Sequence, residues 1–172
     1  MQTIDNKKLK KLEVLYKLNK LDELEKETNK LLKIDNENIV LLNIIGVVYL
    51  KKNLFQKSEK IFIKILEKNL KNPNALKNLA ETYRKTNNFS LAIKYYEIYL
   101  NIKTKDVEAI NNIASCFLKK KEYYISIGYY RELIKIDPTN EEYLTNLAFA
   151  LIQSLNITDG IEILEKVLDK NI

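Results

Sequence analysis

One period governs this chain. Leu32, Leu66, Leu100, Ile134 and Leu168 follow one another at intervals of 34 residues, and Leu21, Phe55, Phe89, Tyr123 and Ile157 repeat the same step. A chain that copies itself at this interval is built from one supersecondary unit, too small to bury its apolar face alone, so neighbouring units must stack. Numbering each unit from Asp5, Ile39, Pro73, Val107 and Glu141 brings further columns into line. Position 8 reads Leu12, Gly46, Ala80, Ala114, Ala148, and position 20 reads Leu24, Ser58, Ala92, Ser126, Gly160. Position 11 reads Leu15, Tyr49, Tyr83, Phe117, Leu151, and position 24 reads Thr28, Phe62, Tyr96, Tyr130, Leu164. Small side chains let two helices approach closely, and the large ones fill the gaps between turns.

Within each unit the apolar spacing is helical. Leu76, Leu79, Ala80 and Tyr83 mark one helix; Phe89, Ala92, Ile93, Tyr96 and Leu100 mark the next. Asn19, Asn53 and Asn87 share one place in three of the intervening turns, where a helix ends in the left-handed conformation that Asn tolerates. Asn72-Pro73 places a cap before an N1 proline, and Asp137-Pro138-Thr139-Asn140 precedes the acidic helix start Glu141-Glu142. With only three glycines and two prolines, the chain lacks the turn residues that a sheet of this length requires. Its 46% hydrophobic content supplies enough apolar surface for a continuous core.

This pattern resembles the tetratricopeptide repeat family over nearly the whole chain. The resemblance implies an all-α fold, a right-handed superhelical solenoid of antiparallel helix pairs. It predicts one domain over 1–172, with repeats at 5–38, 39–72, 73–106, 107–140 and 141–172. The sequence departs from the family pattern at position 4, often Trp, which here is Leu42, Leu76, Ile110 and Leu144; the proline at position 32 survives only as Pro138. The first unit is degenerate, carrying Lys8 and Lys11 where the others are aliphatic, and reads as a polar N-terminal cap.

The chemistry that is missing narrows the function. The chain has no histidine, which removes the commonest general base and metal ligand. The single Cys116 reads as a buried thiol with no histidine to activate it. Gly46, Gly128 and Gly160 are too far apart for a phosphate loop. We therefore expect no catalysis, no cofactor and no metal. The net charge of +6 is almost all lysine, with Arg84 and Arg131 the only arginines and acidic residues interspersed. Dispersed lysine implies weak, salt-labile attraction to nucleic acid and no specific recognition. The stretch from Met1 to Leu18 is lysine-rich without an apolar run, so neither a secretion signal nor a membrane span is expected and the chain reads as cytoplasmic.

The resemblance also implies where a partner binds, because the first helix of each repeat lines a concave groove. The residues at those positions include Asn43, then Lys77, Asn78, Glu81 and Arg84, then Glu108, Asn111, Asn112 and Ser115, then Asn146. Asn78, Asn112 and Asn146 repeat at 34 residues, a ladder whose amides offer donors and acceptors to the main chain of an extended peptide. Similar ladders occur in family members that bind extended peptides, including the enzyme that attaches N-acetylglucosamine to proteins. A carboxylate clamp of the chaperone-adaptor type is not expected, since Glu81, Glu142 and Asn146 stand at three of its five places. The leading reading is a scaffold binding a peptide segment of another protein in repeats three to five. The alternative is a self-assembling module, a homo-oligomer using Tyr143, Ala150, Ile163 and Val167, which earlier repeats turn toward the next unit and the last repeat is expected to leave open. A weak nucleic-acid binder is the third.

Overall fold

A computed structural model describes residues 5–169. Residues 170–172 of the fifth repeat, and the four that open the chain, lie outside that range. Among the described residues there are ten helices and no strand. They are α1 (Asn6–Lys17), α2 (Leu21–Leu32), α3 (Ile39–Lys51), α4 (Phe55–Lys68), α5 (Pro73–Lys85), α6 (Phe89–Leu100), α7 (Val107–Lys119), α8 (Tyr123–Ile136), α9 (Glu141–Gln153) and α10 (Ile157–Asp169). They divide after Thr86 into two compact units, α1–α5 and α6–α10.

Each odd-numbered helix begins on an Asp or Asn cap. Asp5, Asn38, Asn72, Asp106 and Asn140 sit in extended backbone and accept a hydrogen bond from a first-turn N–H. Asn72 takes the Ala75 N–H at 3.0 Å, with Pro73 in the first turn, where its missing N–H costs nothing. Asn19, Asn53 and Asn87 adopt φ of 54°, 58° and 60°, as their place in the turns demands. Lys121 and Leu155 hold the same turn position with φ of 63° and 69°. Neither is a turn residue, so the closing of the helix pair imposes the conformation against local preference.

In the first unit α3 packs between α2 and α4 and also touches α5. A methyl group on Gly46 would come within 2.7 Å and 2.8 Å of two ring carbons of Phe62, so the close approach of α3 to α4 requires glycine there. The Ser58 hydroxyl donates to the Gly46 carbonyl at 3.0 Å and lies 3.2 Å from the Thr82 hydroxyl, which donates to the Asn78 carbonyl at 2.8 Å. The Ser58 bond ties α4 to α3, and the Thr82 hydroxyl of α5 is buried against it. In the second unit Ala114, Ile127, Tyr130, Leu133, Tyr143, Leu147 and Leu151 form the core. Ser126 donates to the Ala114 carbonyl at 3.0 Å, the counterpart of Ser58 on Gly46.

The open face expected at the last repeat needs correction. Tyr143 is only 9% exposed and Ala150 is fully buried, both within the core of the second unit. The reason is directional. Position 10 is exposed in the first pair, at Val14, and buried at Val48, Thr82, Cys116 and Ala150, so it faces the preceding pair and not the following one. Position 3 behaves alike, with Lys7 exposed but Leu41, Ala75, Ala109 and Tyr143 buried. Ile163 and Val167 are half-buried, Ile163 against the same core. The apolar side chains that α10 exposes are Ile157, Ile161 and Leu168.

Candidate functional site

The odd-numbered helices come together on one face of each unit, α3 touching α5 in the first and α7 touching α9 in the second. In the first unit α1, α3 and α5 line a cleft of about 430 Å³. Leu9, Leu12, Val40, Ile44 and Val47 make its apolar surface, Tyr16 and Glu13 border it, and Asn43, Asn74 and Asn78 supply its polar groups. The Asn43 amide nitrogen donates to the Ile39 carbonyl at 2.9 Å, which orients the side chain. Its oxygen is buried and accepts no hydrogen bond, an unsatisfied state that a bound N–H would relieve. This cleft begins two repeats earlier than the ladder read from the sequence. The signal was the run of Val40, Ile44 and Val47 at groove positions of the second repeat, joined in space by the supposed cap.

The second unit presents a different surface. The Asn112 amide donates to the Tyr96 hydroxyl at 3.1 Å, so this member of the ladder is partly engaged within the fold. One repeat earlier Phe62 stands where Tyr96 stands and has no hydroxyl to offer Asn78. Asn111 donates to the Glu142 carboxylate at 3.1 Å and keeps a buried, unpartnered oxygen. Close by, the Tyr130 hydroxyl is buried, and Ser115 sits beside it without reaching hydrogen-bonding geometry. Burial first, and the Glu142 carboxylate second, push this phenol well above the usual tyrosine range, so it stays protonated. Asn146 is half-buried on α9, and Glu108 is exposed in the first turn of α7.

The charged candidates on α5 are already partnered. Arg84 grips Glu81 through two contacts of 2.7 Å, a fork on a carboxylate one helical turn away. Lys85 lies 3.9 Å from the same carboxylate, and Lys77 is half-buried. The α5 surface therefore offers amides and the Arg84–Glu81 pair beside two lysines, Lys77 and Lys85. Among the described residues no group of three His, Cys, Asp or Glu side chains is placed to hold a metal, and Cys116 is buried. No helix among them is long and apolar enough to cross a membrane.

Residues 75–108 and 107–140 each match a family model described as tetratricopeptide repeat. No curated protein matches the chain in sequence. Solved structures share the fold. MamA 41-end from Desulfovibrio magneticus RS-1 superposes with a TM-score of 0.88 at 14% identity, over 97% of this chain and 96% of that one. Another MamA structure gives 0.83 at 16% identity, over 98% and 96%. YrrB, described as a TPR protein with an unusual peptide-binding site, gives 0.80 at 20% identity, over 92% and 81%.

Proposed function

Because the chain is a tetratricopeptide repeat protein, we propose that it is a non-catalytic interaction scaffold that holds an extended peptide on the face of its odd-numbered helices. The observation that carries this reading is the cleft of the first unit, where an apolar floor lies beside a buried amide oxygen that accepts no hydrogen bond. Such a cleft suits a peptide that inserts an apolar side chain and offers a backbone N–H to Asn43. Within the cleft Asn78 adds a half-buried amide that can meet the peptide main chain, and Asn112 and Asn146 repeat that helical position in the second unit. YrrB, alike in fold, is described as binding peptide.

The test is selection of short random peptides displayed against the protein. Peptides carrying one large apolar residue should be enriched. Introducing Val47→Glu should weaken them about tenfold or more, since burying such a side chain is worth about 1.5–3 kcal/mol. No enrichment over an unrelated helical protein, or undiminished binding to the Val47→Glu variant, defeats the reading. A second reading, association with another copy through α10, is favoured by the exposed Ile157, Ile161 and Leu168 on that helix. Ile161→Glu should then abolish any oligomer seen by light scattering; an oligomer that survives it removes this reading.

A further inference from the structure

Only three glycines occur in the chain, and all lie inside helices. Two of them answer to packing. A methyl group on Gly46 would meet Phe62 at 2.7 Å, and one on Gly160 would meet Ile152 at 2.6 Å. Gly128, near the middle of α8, is different: a methyl group there would meet nothing within 4 Å. Glycine destabilises a helix interior relative to alanine, so no contact inside the molecule explains its presence.

The other repeats serve as controls. Where α8 has Gly128, the matching residues of α2, α4, α6 and α10 are Lys26, Lys60, Lys94 and Glu162. Four residues earlier, where the sister helices carry Asp22, Gln56, Ser90 and Thr158, α8 has Tyr124; three residues earlier, Ile125 replaces Glu23, Lys57, Leu91 and Asp159. Tyr124 is 78% exposed and Ile125 is 47% exposed. A face that is charged or polar on the other helices, Leu91 of α6 excepted, is here an uncharged strip around a glycine. On the next turn stand Arg131 and Glu132, both exposed.

We propose that this face of α8 docks on the same face of a second copy, two α8 helices crossing antiparallel at Gly128. The missing side chain lets the two backbones approach closely. About a two-fold axis, residues equally far before and after the crossing point meet. Tyr124 then faces Glu132 of the second copy, its phenol donating to the carboxylate, while Ile125 lies under the aliphatic stem of Arg131 and the guanidinium reaches the Tyr124 ring. The apolar half of each strip meets the charged half of the other, and each contact is made twice.

Sedimentation velocity over a concentration series tests this on the whole chain, beside Gly128→Lys, which restores the residue of three sister helices, and Tyr124→Ser, which restores that of α6. The wild type should show a concentration-dependent dimer. Gly128→Lys should weaken it about tenfold or more while melting at a higher temperature, because an exposed helical glycine is replaced by a better helix former. Tyr124→Ser should weaken the dimer with unchanged helicity. A wild type that stays monomeric at the highest concentration, or a dimer unaffected by Gly128→Lys, overturns the proposal. So does a dimer lost to Ile161→Glu but not to Gly128→Lys, which would assign association to α10.

Discussion

The same substitution, Gly→Ala, should act in opposite directions at two places in this molecule. At Gly128 the new methyl meets nothing, so the helix gains only propensity, about 0.8–1.0 kcal/mol. At Gly46 the same gain is offset by contact. The methyl would lie 2.7 Å and 2.8 Å from Phe62 ring carbons and 3.1 Å from an Ile61 methyl, against a relaxed carbon–carbon separation of about 3.5–4.0 Å. The ring must therefore retreat by roughly 1 Å, and because Phe62 is fully buried the side chains that cover it must shift with it. Overpacking of this kind costs about 1–3 kcal/mol, leaving Gly46→Ala destabilised by up to about 2 kcal/mol. The two variants should differ by about 1–3 kcal/mol, or roughly 2–12 °C in melting temperature for a chain of this size. Circular dichroism melts at low protein concentration, where association does not contribute, measure the gap. Adding Phe62→Leu to Gly46→Ala should return part of the loss, a coupling that a double-mutant cycle reads directly. If Gly46→Ala melts at or above Gly128→Ala, the Phe62 ring does not set the size limit at that position.

Leu155, 85% exposed and held at φ 69°, should give way to Asn, the residue at the same turn in three other repeats, with a gain of about 1 kcal/mol; an unchanged melt would show that the turn carries no strain. Ser58→Ala should cost about 0.5–1.5 kcal/mol by removing the hydrogen bond that its hydroxyl donates to the Gly46 carbonyl; urea unfolding that shows no loss would exclude this buried bond as a stabiliser. The Glu27 carboxyl is held down to about 2 by its hydrogen bonds, first to Lys30 and then to Lys11. Its folded value lies below the ordinary 4.5, so its contribution is present above 4.5 and is lost as the pH falls toward 2. Carboxyl NMR should find Glu27 titrating low in the wild type and higher in Lys30→Met, and a wild-type value near 4.5 would refute the ion pairing.

The sequence by itself determined the repeat. The 34-residue spacing, the small residues at Gly46, Ala80 and Ala114, the caps at Asn72 and Asn140 and the left-handed turns at Asn19, Asn53 and Asn87 are all local demands. Each is met by residue type, so each is written in the chain. Direction is not. An apolar residue reads the same whether it is covered by the pair before it or the pair after it, which is why Tyr143 and Ala150 looked open and are buried. An amide reads the same whether it faces a groove or a neighbour, so the hold of Tyr96 on Asn112 was invisible until the helices were placed. The cleft of the first unit required α1, α3 and α5 to converge, joining side chains from three repeats. Lys121 and Leu155 took up left-handed turns that no residue preference asked for. Periodicity records how much of a side chain is covered along its own helix; only the packing of helices on one another decides what covers it.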